Sequence, residues 1–348
     1  MIPRPTANSP QRARTARAPG RSFCCALLGC YALTARAAPP SVALSSAPLP
    51  GAIPESLYAL NPPDNATAAP AEAGRIHLPG SPVTHSPAEL NDLFFAPDWH
   101  LQPHTPMPPI VARGRAPEVF ASGYCHTPSG QGRPENAALA ARPAAYIIAQ
   151  VEDFRTDARR RAWPGACRPS DLMIQVAQHA TADQVRVAAD YCAAQHLAPR
   201  LQLLESTDVP RARVVGFVYT EIAHGGREPL GERLLEFAPE AARHEHREDA
   251  MRDRVDVPAR SLRRGQLIAM AGLPDGSSLP CVTCHGADLR GAAVIRGIGG
   301  RSPPYLLRAL LAFQSGARHG SGSQPMRTEV GKLFLGNMID AFAAAASP

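Results

Sequence analysis

Beyond Ala37, this chain of 348 has no apolar run long enough to cross a membrane as a helix, which takes about 20 residues. Lysine is almost missing: Lys332 stands alone among 36 basic residues, and no mechanism attaches to that bias. A basic excess is missing too once the leader is set aside. The formal charge of +6 equals the six leader arginines (Arg4, Arg12, Arg14, Arg17, Arg21 and Arg36), which face no acid in that stretch. Nucleic acid therefore drops out as a partner, and Arg159-Arg160-Arg161 reads as a solvated helix end. Beyond the leader, no second close pair of Cys or His ligands flanks the one close thiol pair, as zinc would need, and no βαβ pattern surrounds it, as a redox dithiol would need.

What is present begins with that leader. Its arginines run into an apolar stretch from Phe23 to Leu33 and then Ala35-Arg36-Ala37, the pattern of a cleaved secretory signal. Export to the periplasm follows, with a lipoprotein anchor at Cys30, in Leu27-Leu28-Gly29-Cys30, as the lesser alternative. About 310 residues remain, enough for two small domains and connecting segments.

The close thiol pair is Cys281-Val282-Thr283-Cys284-His285. Two thiols at this spacing lie one helical turn from each other, so both can bond the vinyl groups of one porphyrin while the next imidazole faces the iron. A thioether makes a suitable second axial ligand, and Met326 lies beyond His285, after a glycine-rich loop and an apolar helical run. Met338, inside the last helix, reads as packing.

A single constant displacement brings a second stretch into register without a gap. Cys125-His126 falls on Cys284-His285, Gly132 on Gly291, Arg142 on Arg301, Tyr146 to Phe154 on Tyr305 to Phe313, and Ala158-Arg159 on Ala317-Arg318. Positions 146, 147, 151 and 154 share one helical face, as do 305, 306, 310 and 313. Cys281, however, lands on Ser122. The first copy keeps one thiol and the histidine, with Met173 as its axial thioether in Asp171-Leu-Met-Ile-Gln-Val-Ala177. If Cys125 bonds a haem, Cys167 and Cys192 remain as an even pair that could form a disulfide. Thr181 is a good N-cap for a last helix, with Asp183 in its first turn.

These residues resemble the class I cytochrome c family, and the tandem arrangement looks like a diheme bacterial c-type cytochrome. The resemblance covers about residues 115–195 and 260–346. It implies a mainly α fold of two cytochrome c-like helical domains in tandem, with an irregular N-terminal extension and a small β-containing inter-domain segment. It implies haem c in the second domain, held by Cys281 and Cys284 with His285 and Met326 on the iron. In the first domain Cys125, His126 and Met173 would hold a second haem. It further implies that the N- and C-terminal helices cross at a small residue, Gly265 in the second copy, against an aromatic. Tyr191 can serve in the first copy, while Ala344 stands at the matching place in the second, with Phe342 just before it. Pro106 to Pro117 is too broken by prolines to supply a glycine-bearing first helix.

The expected plan is a signal peptide over 1–37, a Pro/Ala-rich flexible tether over 38–75 and an extension over 76–114 strapped on the first domain. Then come the first haem-type domain over 115–197, a linker over 198–258 and the second domain over 259–348. His85, His100 and His104 of the extension read as structural. In the linker, Arg211 to Thr220 and Arg233 to Phe237 read as two short strands, and Ala241 to Asp256, with His244 and His246, as a solvated face. Arg301 and Tyr305 are expected propionate partners. The resemblance implies an electron carrier, not an enzyme, serving redox partner proteins or a membrane-associated dehydrogenase or oxidase complex. Two alternatives stand beside it: a peroxidase-like protein with an open site in the first copy, and a monohaem carrier whose first domain only docks.

Overall fold

The computed structural model describes residues 55–59, 74–101, 104–165 and 167–345, all within one compact unit, Val42–Pro348. The signal, the anchor alternative at Cys30 and most of the tether lie outside the described residues, as do the side chains of Phe342 and Ala344.

Two helical halves flank a β region. The first has helices Ser122–His126, Ala144–Arg155, Arg168–His179 and Ala182–Ala193. Thr181 opens the last of these with a reciprocal capping box: its Oγ1 accepts from Gln184 N, and Gln184 Oε1 accepts from Thr181 N. The second half has helices Ser261–Ala271, Val282–His285, Pro303–Gln314, Gln324–Val330 and Leu335–Ala345. Its apolar face does turn inward, with Leu306, Leu310 and Phe313 buried in one cluster that also holds Met338.

The backbone repeats at the sequence offset. Leu139 and Ala140 both donate to Gly130 O, and Ile298 and Gly299 both donate to Leu289 O; Arg159 N reaches Asp153 O as Arg318 N reaches Ala312 O. Positive φ also recurs, at Thr127 and Gly286, Gly130 and Leu289, Gly132 and Gly291, Ala141 and Gly300, and Asp157 and Gly316. Each pair keeps the spacing that relates Cys125 to Cys284; Gly132 and Gly291 are glycine in both copies, and in the other four pairs one copy has glycine and the other a residue with a side chain.

Helices Ser261–Ala271 and Leu335–Ala345 cross where Gly265 touches backbone: a Cβ there would lie 1.7 Å from Asp340 O. Ser261 Oγ and the Arg264 guanidinium then bind the Asp340 carboxylate. In the first half a four-residue helix, Pro109–Ala112, replaces the long one, and Val111 packs with Ile147, Ala189 and Tyr191. The Tyr191 hydroxyl donates to Pro128 O at 2.8 Å.

Between the halves the expected pair of strands proves to be a five-stranded mixed sheet. Its order is Leu201–Ser206, Asp253–Pro258, Leu235–Phe237, Val218–Glu221, Ala212–Val215. Arg211 to Thr220 is no single strand, because Gly216 and Phe217 both take positive φ and fold it into a hairpin. Ala241 to Asp256 is no solvated face either. His244, Glu248, Asp249 and Asp253 are buried there, Arg133 donates to His244 O, and Ser129 Oγ donates to Asp249 at 2.6 Å.

The strap of the N-terminal extension lies on the first half through Ala96, Ala121 and Tyr124. It also reaches the β region: buried Trp99 donates from Nε1 to His246 O at 2.7 Å, and His100 meets Glu248. His85 stacks edge-on against Trp99, and His104 bonds Asp98. The described part of the tether is not free chain. Leu57 and Tyr58 are buried, Tyr58 stacks on Trp163, and Arg308 donates to Leu57 O. An isolated Leu-Tyr pair in a Pro/Ala-rich stretch hides that anchor from a reading by composition.

Candidate functional site

Both histidines are presented in the same way. Each ends a short helix, Ser122–His126 or Val282–His285, and each points Nδ1 at a downstream carbonyl: His126 at Ala137 O and His285 at Arg296 O, both at 2.8 Å. Nδ1 carries the proton in that arrangement, so Nε2 keeps its lone pair free for a metal. Burial pushes both imidazoles below their ordinary value and favours the neutral, ligating form.

Cys281 and Cys284 sit one turn apart, with His285 N bonded to Cys281 O at 2.9 Å. Cys284 is exposed, whereas burial pushes the Cys281 thiol up to about 11. Met326 and Cys281 pack against the same apolar cluster, so the second copy brings its thiol and thioether to one core. Cys125 is half-buried beside Tyr124, and burial raises its thiol too.

The first copy holds a cavity of about 620 Å³, within the range that takes a cofactor-sized ligand. Cys125, His126 and Met173 all line it, so the three donors expected there converge on one space. Met173 comes from the middle of helix Arg168–His179. Tyr305, Arg308 and Arg318 of the second copy close the cavity from the other side. Cys167 and Cys192 are free thiols in the structure. Cys192 is buried beside Tyr191 and Cys167 packs with the cluster that holds Leu57, so the disulfide that thiol parity would allow is not made in this structure.

One wall of the cavity carries a charge problem. Arg159 donates to Tyr305 Oη at 3.2 Å, and Arg318 donates to Tyr146 Oη at 2.8 Å, a reciprocal exchange between the copies. Both arginines also reach Gln150. Arg142 donates from Nε to Ala138 O, and Arg301 from Nε to Gly297 O, equivalent bonds in the two copies. Arg142, Arg301 and Arg318 are all buried, yet none makes an ion pair among the described residues. Arg142 Nη1 and Nη2 and Arg318 Nε have no hydrogen-bond partner among the described residues.

Burial pushes Arg142 and Arg301 down from the guanidinium range and Arg318 down to about 9. An arginine does not lose its proton in proteins, so this strain means that the cluster wants an anion. The tyrosines respond to the same field. Burial pushes Tyr146 up, but Arg296, Arg318, Arg159 and Arg142 together bring it well below its ordinary value. A ligand with two carboxylates answers the orphaned donors, and haem carries two propionates. The residues present therefore fit haem.

Reading the residues alone picked out Arg301 and Tyr305 for this role and missed Arg142, Tyr146, Arg159 and Arg318. Arg159 is no solvated helix end; it is drawn inward by Tyr305. The signal was available, since all six are polar residues that coincide in the register of the repeat.

No protein-family model matches the chain. Over 41 residues it is 46% identical to the cytochrome subunit of sulfide dehydrogenase from Chlorobaculum tepidum, a stretch covering 12% of this chain and 37% of that protein. The chain thus spans little more than a third of that relative. Among solved structures, thiosulfate dehydrogenase (TsdBA) from Marichromatium purpuratum aligns with a TM-score of 0.45 and 23% identity, over 69% of this chain and 39% of its own. Cytochrome c4 from Acidithiobacillus ferrooxidans aligns with a TM-score of 0.41 and 19% identity, over 64% of this chain and 96% of its own. Cytochrome c4 from Pseudomonas stutzeri gives 0.41 and 16%, over 65% and 92%. At scores below 0.5 these likenesses add no weight to what the chain's own geometry carries.

Proposed function

We propose that this protein is an exported c-type cytochrome that passes single electrons, with haem in both halves. The observation that carries the reading is the paired presentation of His126 and His285, each beside a cysteine and each fixed at Nδ1. Cys281 and Cys284 would bond the porphyrin twice in the second half, and Cys125 once in the first. His285 with Met326, and His126 with Met173, would fill the axial positions. Bound haem supplies a one-electron couple at the iron.

The chain's part is to hold and to shield. The carbonyls of Ala137 and Arg296 lock each imidazole's tautomer and angle. Arg142 and Arg318, which keep unbonded donors at the cavity, would receive carboxylates, while Arg159 and Arg301 brace that wall through Tyr305 and through Ala138 O, Ala140 O and Gly297 O. The apolar cluster around Leu306, Leu307 and Leu310 keeps water from the second site. The likeness of a short stretch to a dehydrogenase's cytochrome subunit supports a dehydrogenase as the electron donor. Periplasmic location rests on the leader alone.

The cavity beside Cys125 favours two haems over the reading in which the first half only docks. Mass spectrometry of protein matured with cytochrome assembly machinery tests this directly: two added haems support the reading, and one added haem removes the first site. Ser122→Cys should then add a thioether at that site and shift the α-band of its alkaline pyridine derivative. A colourless protein with no α-band on reduction overturns the whole reading.

A further inference from the structure

Three parts of the chain meet at a second, much smaller cavity of about 30 Å³, room for about one water. The sheet contributes Glu236 and Asp253, both buried. Ser302, at the start of helix Pro303–Gln314, donates from Oγ to Glu236 Oε2 at 2.5 Å, and its own Oγ accepts from Tyr305 N. Asp253 Oδ1 has no hydrogen-bond partner among the described residues. Tyr305 and Asn136 line this cavity and the large one alike, so the acids adjoin the wall of the proposed haem chamber.

The cations nearby are committed elsewhere. Arg200 donates to Met251 O and Gly132 O, Arg301 to Ala138 O, Ala140 O and Gly297 O, and Arg308 to Leu57 O and Pro134 O. Arg133 pairs with Glu135 at 2.6 Å. None forms an ion pair with Glu236 or Asp253 among the described residues. Two acids without a bonded cation, in a space that admits one water, form a proton-binding site.

We propose that the Glu236–Asp253 pair takes up a proton when the protein takes up an electron. This rests on the haem reading above. Each electron from the donor removes one positive charge behind Tyr305. One proton from water then converts a carboxylate of the pair to the acid, and the local charge is restored. The two acids titrate as a unit, so the proton belongs to the pair. Burial pushes both carboxyls above their ordinary value, and for Glu236 the neighbouring Asp253 pushes the same way. Arg200 and Arg308 oppose this without reversing it. The pair therefore changes charge above the usual carboxylate range, where a change of oxidation state can move it.

The test is a redox titration of the haem-loaded protein from about pH 5 to about pH 9, where full coupling of one proton to one electron lowers the potential by about 59 mV per tenfold fall in proton concentration. Wild type should slope downward with rising pH. Glu236→Gln, which keeps the shape and the Ser302 contact, should flatten the slope while its reduced spectrum stays unchanged. Asp253→Asn should move the sloping window without removing it. Proton uptake on reduction, read with an indicator dye in weak buffer, should fall in Glu236→Gln in parallel. A level wild-type potential, or the same slope in Glu236→Gln, overturns the proton coupling and leaves the haem reading intact. A colourless protein overturns both.

Discussion

The two copies follow one backbone path with different means. Where the second copy uses Gly286 after its histidine, at φ 85, the first forces Thr127 into φ 66, and Thr127 Oγ1 accepts from Gln131 N. Where the second crosses two long helices at Gly265, the first makes do with a single short turn of helix, Val111 and a tyrosine tied by its hydroxyl. Where the second has two thiols, the first has one, and it gains instead a chamber walled in part by its twin. The comparison teaches that the hydrogen-bond frame around the histidine is what the two share. Residue identity at a strained position is negotiable as long as a neighbour restores the bond or the contact.

The harshest way to break the comparison is Gly265→Val, because its side chain would meet Asp340 backbone with nowhere to go. The second half should lose about 3 kcal/mol or more of stability, and urea unfolding would show whether the first half stays folded while the second opens. Val111→Ala at the corresponding contact of the first half should cost less, about 2 kcal/mol.

Next comes Arg142, whose burial without an anion distinguishes an empty chamber from a filled one. Arg142→Met should stabilise haem-free protein by about 1–4 kcal/mol, since a buried unpaired charge is removed. In haem-loaded protein the sign should reverse. Calorimetry of both forms checks the pair of signs, and stabilisation in both would mean that no carboxylate reaches this guanidinium.

Stability should also fall with pH through Glu236. Its folded value is raised by burial, so its contribution is complete below about pH 4, the unfolded value, and is lost as pH rises through the folded value. Urea midpoints of wild type should therefore drop across that window more steeply than those of Glu236→Gln. The smallest effect concerns the strained turn. Thr127→Gly relieves the strained φ but orphans Gln131 N, so its net change should stay within about 1 kcal/mol, while Gly286→Thr loses at least that, because a Cβ there stands 2.7 Å from Gly291 O.

The haem-type pentapeptide and the constant offset between the copies were legible because each is a pattern of spacing along the chain. His126 and His285 carry the same bond, and Thr181 caps its helix as expected, with Gln184 closing the box that the sequence reading did not name. The sheet was not legible. Its long strands, Leu201–Ser206 and Asp253–Pro258, pair in parallel across a wide sequence gap, and the second carries Asp253, Arg254 and Asp256 amid its valines. Charged residues in such a strand read as solvated until Ser206 and Arg254 are seen to satisfy Asp256. The tether and Arg159 misled for the same reason, since burial depends on what arrives from elsewhere.

By itself, then, the chain of residues determined which atoms could grip a porphyrin, for those choices lie within one turn of helix or one loop. Only the tertiary structure decided that arginines and tyrosines from both copies meet in one chamber, and that two unpaired acids sit behind it. Groups far apart in sequence acquire their electrostatic meaning from the partners and the dielectric that folding brings to them.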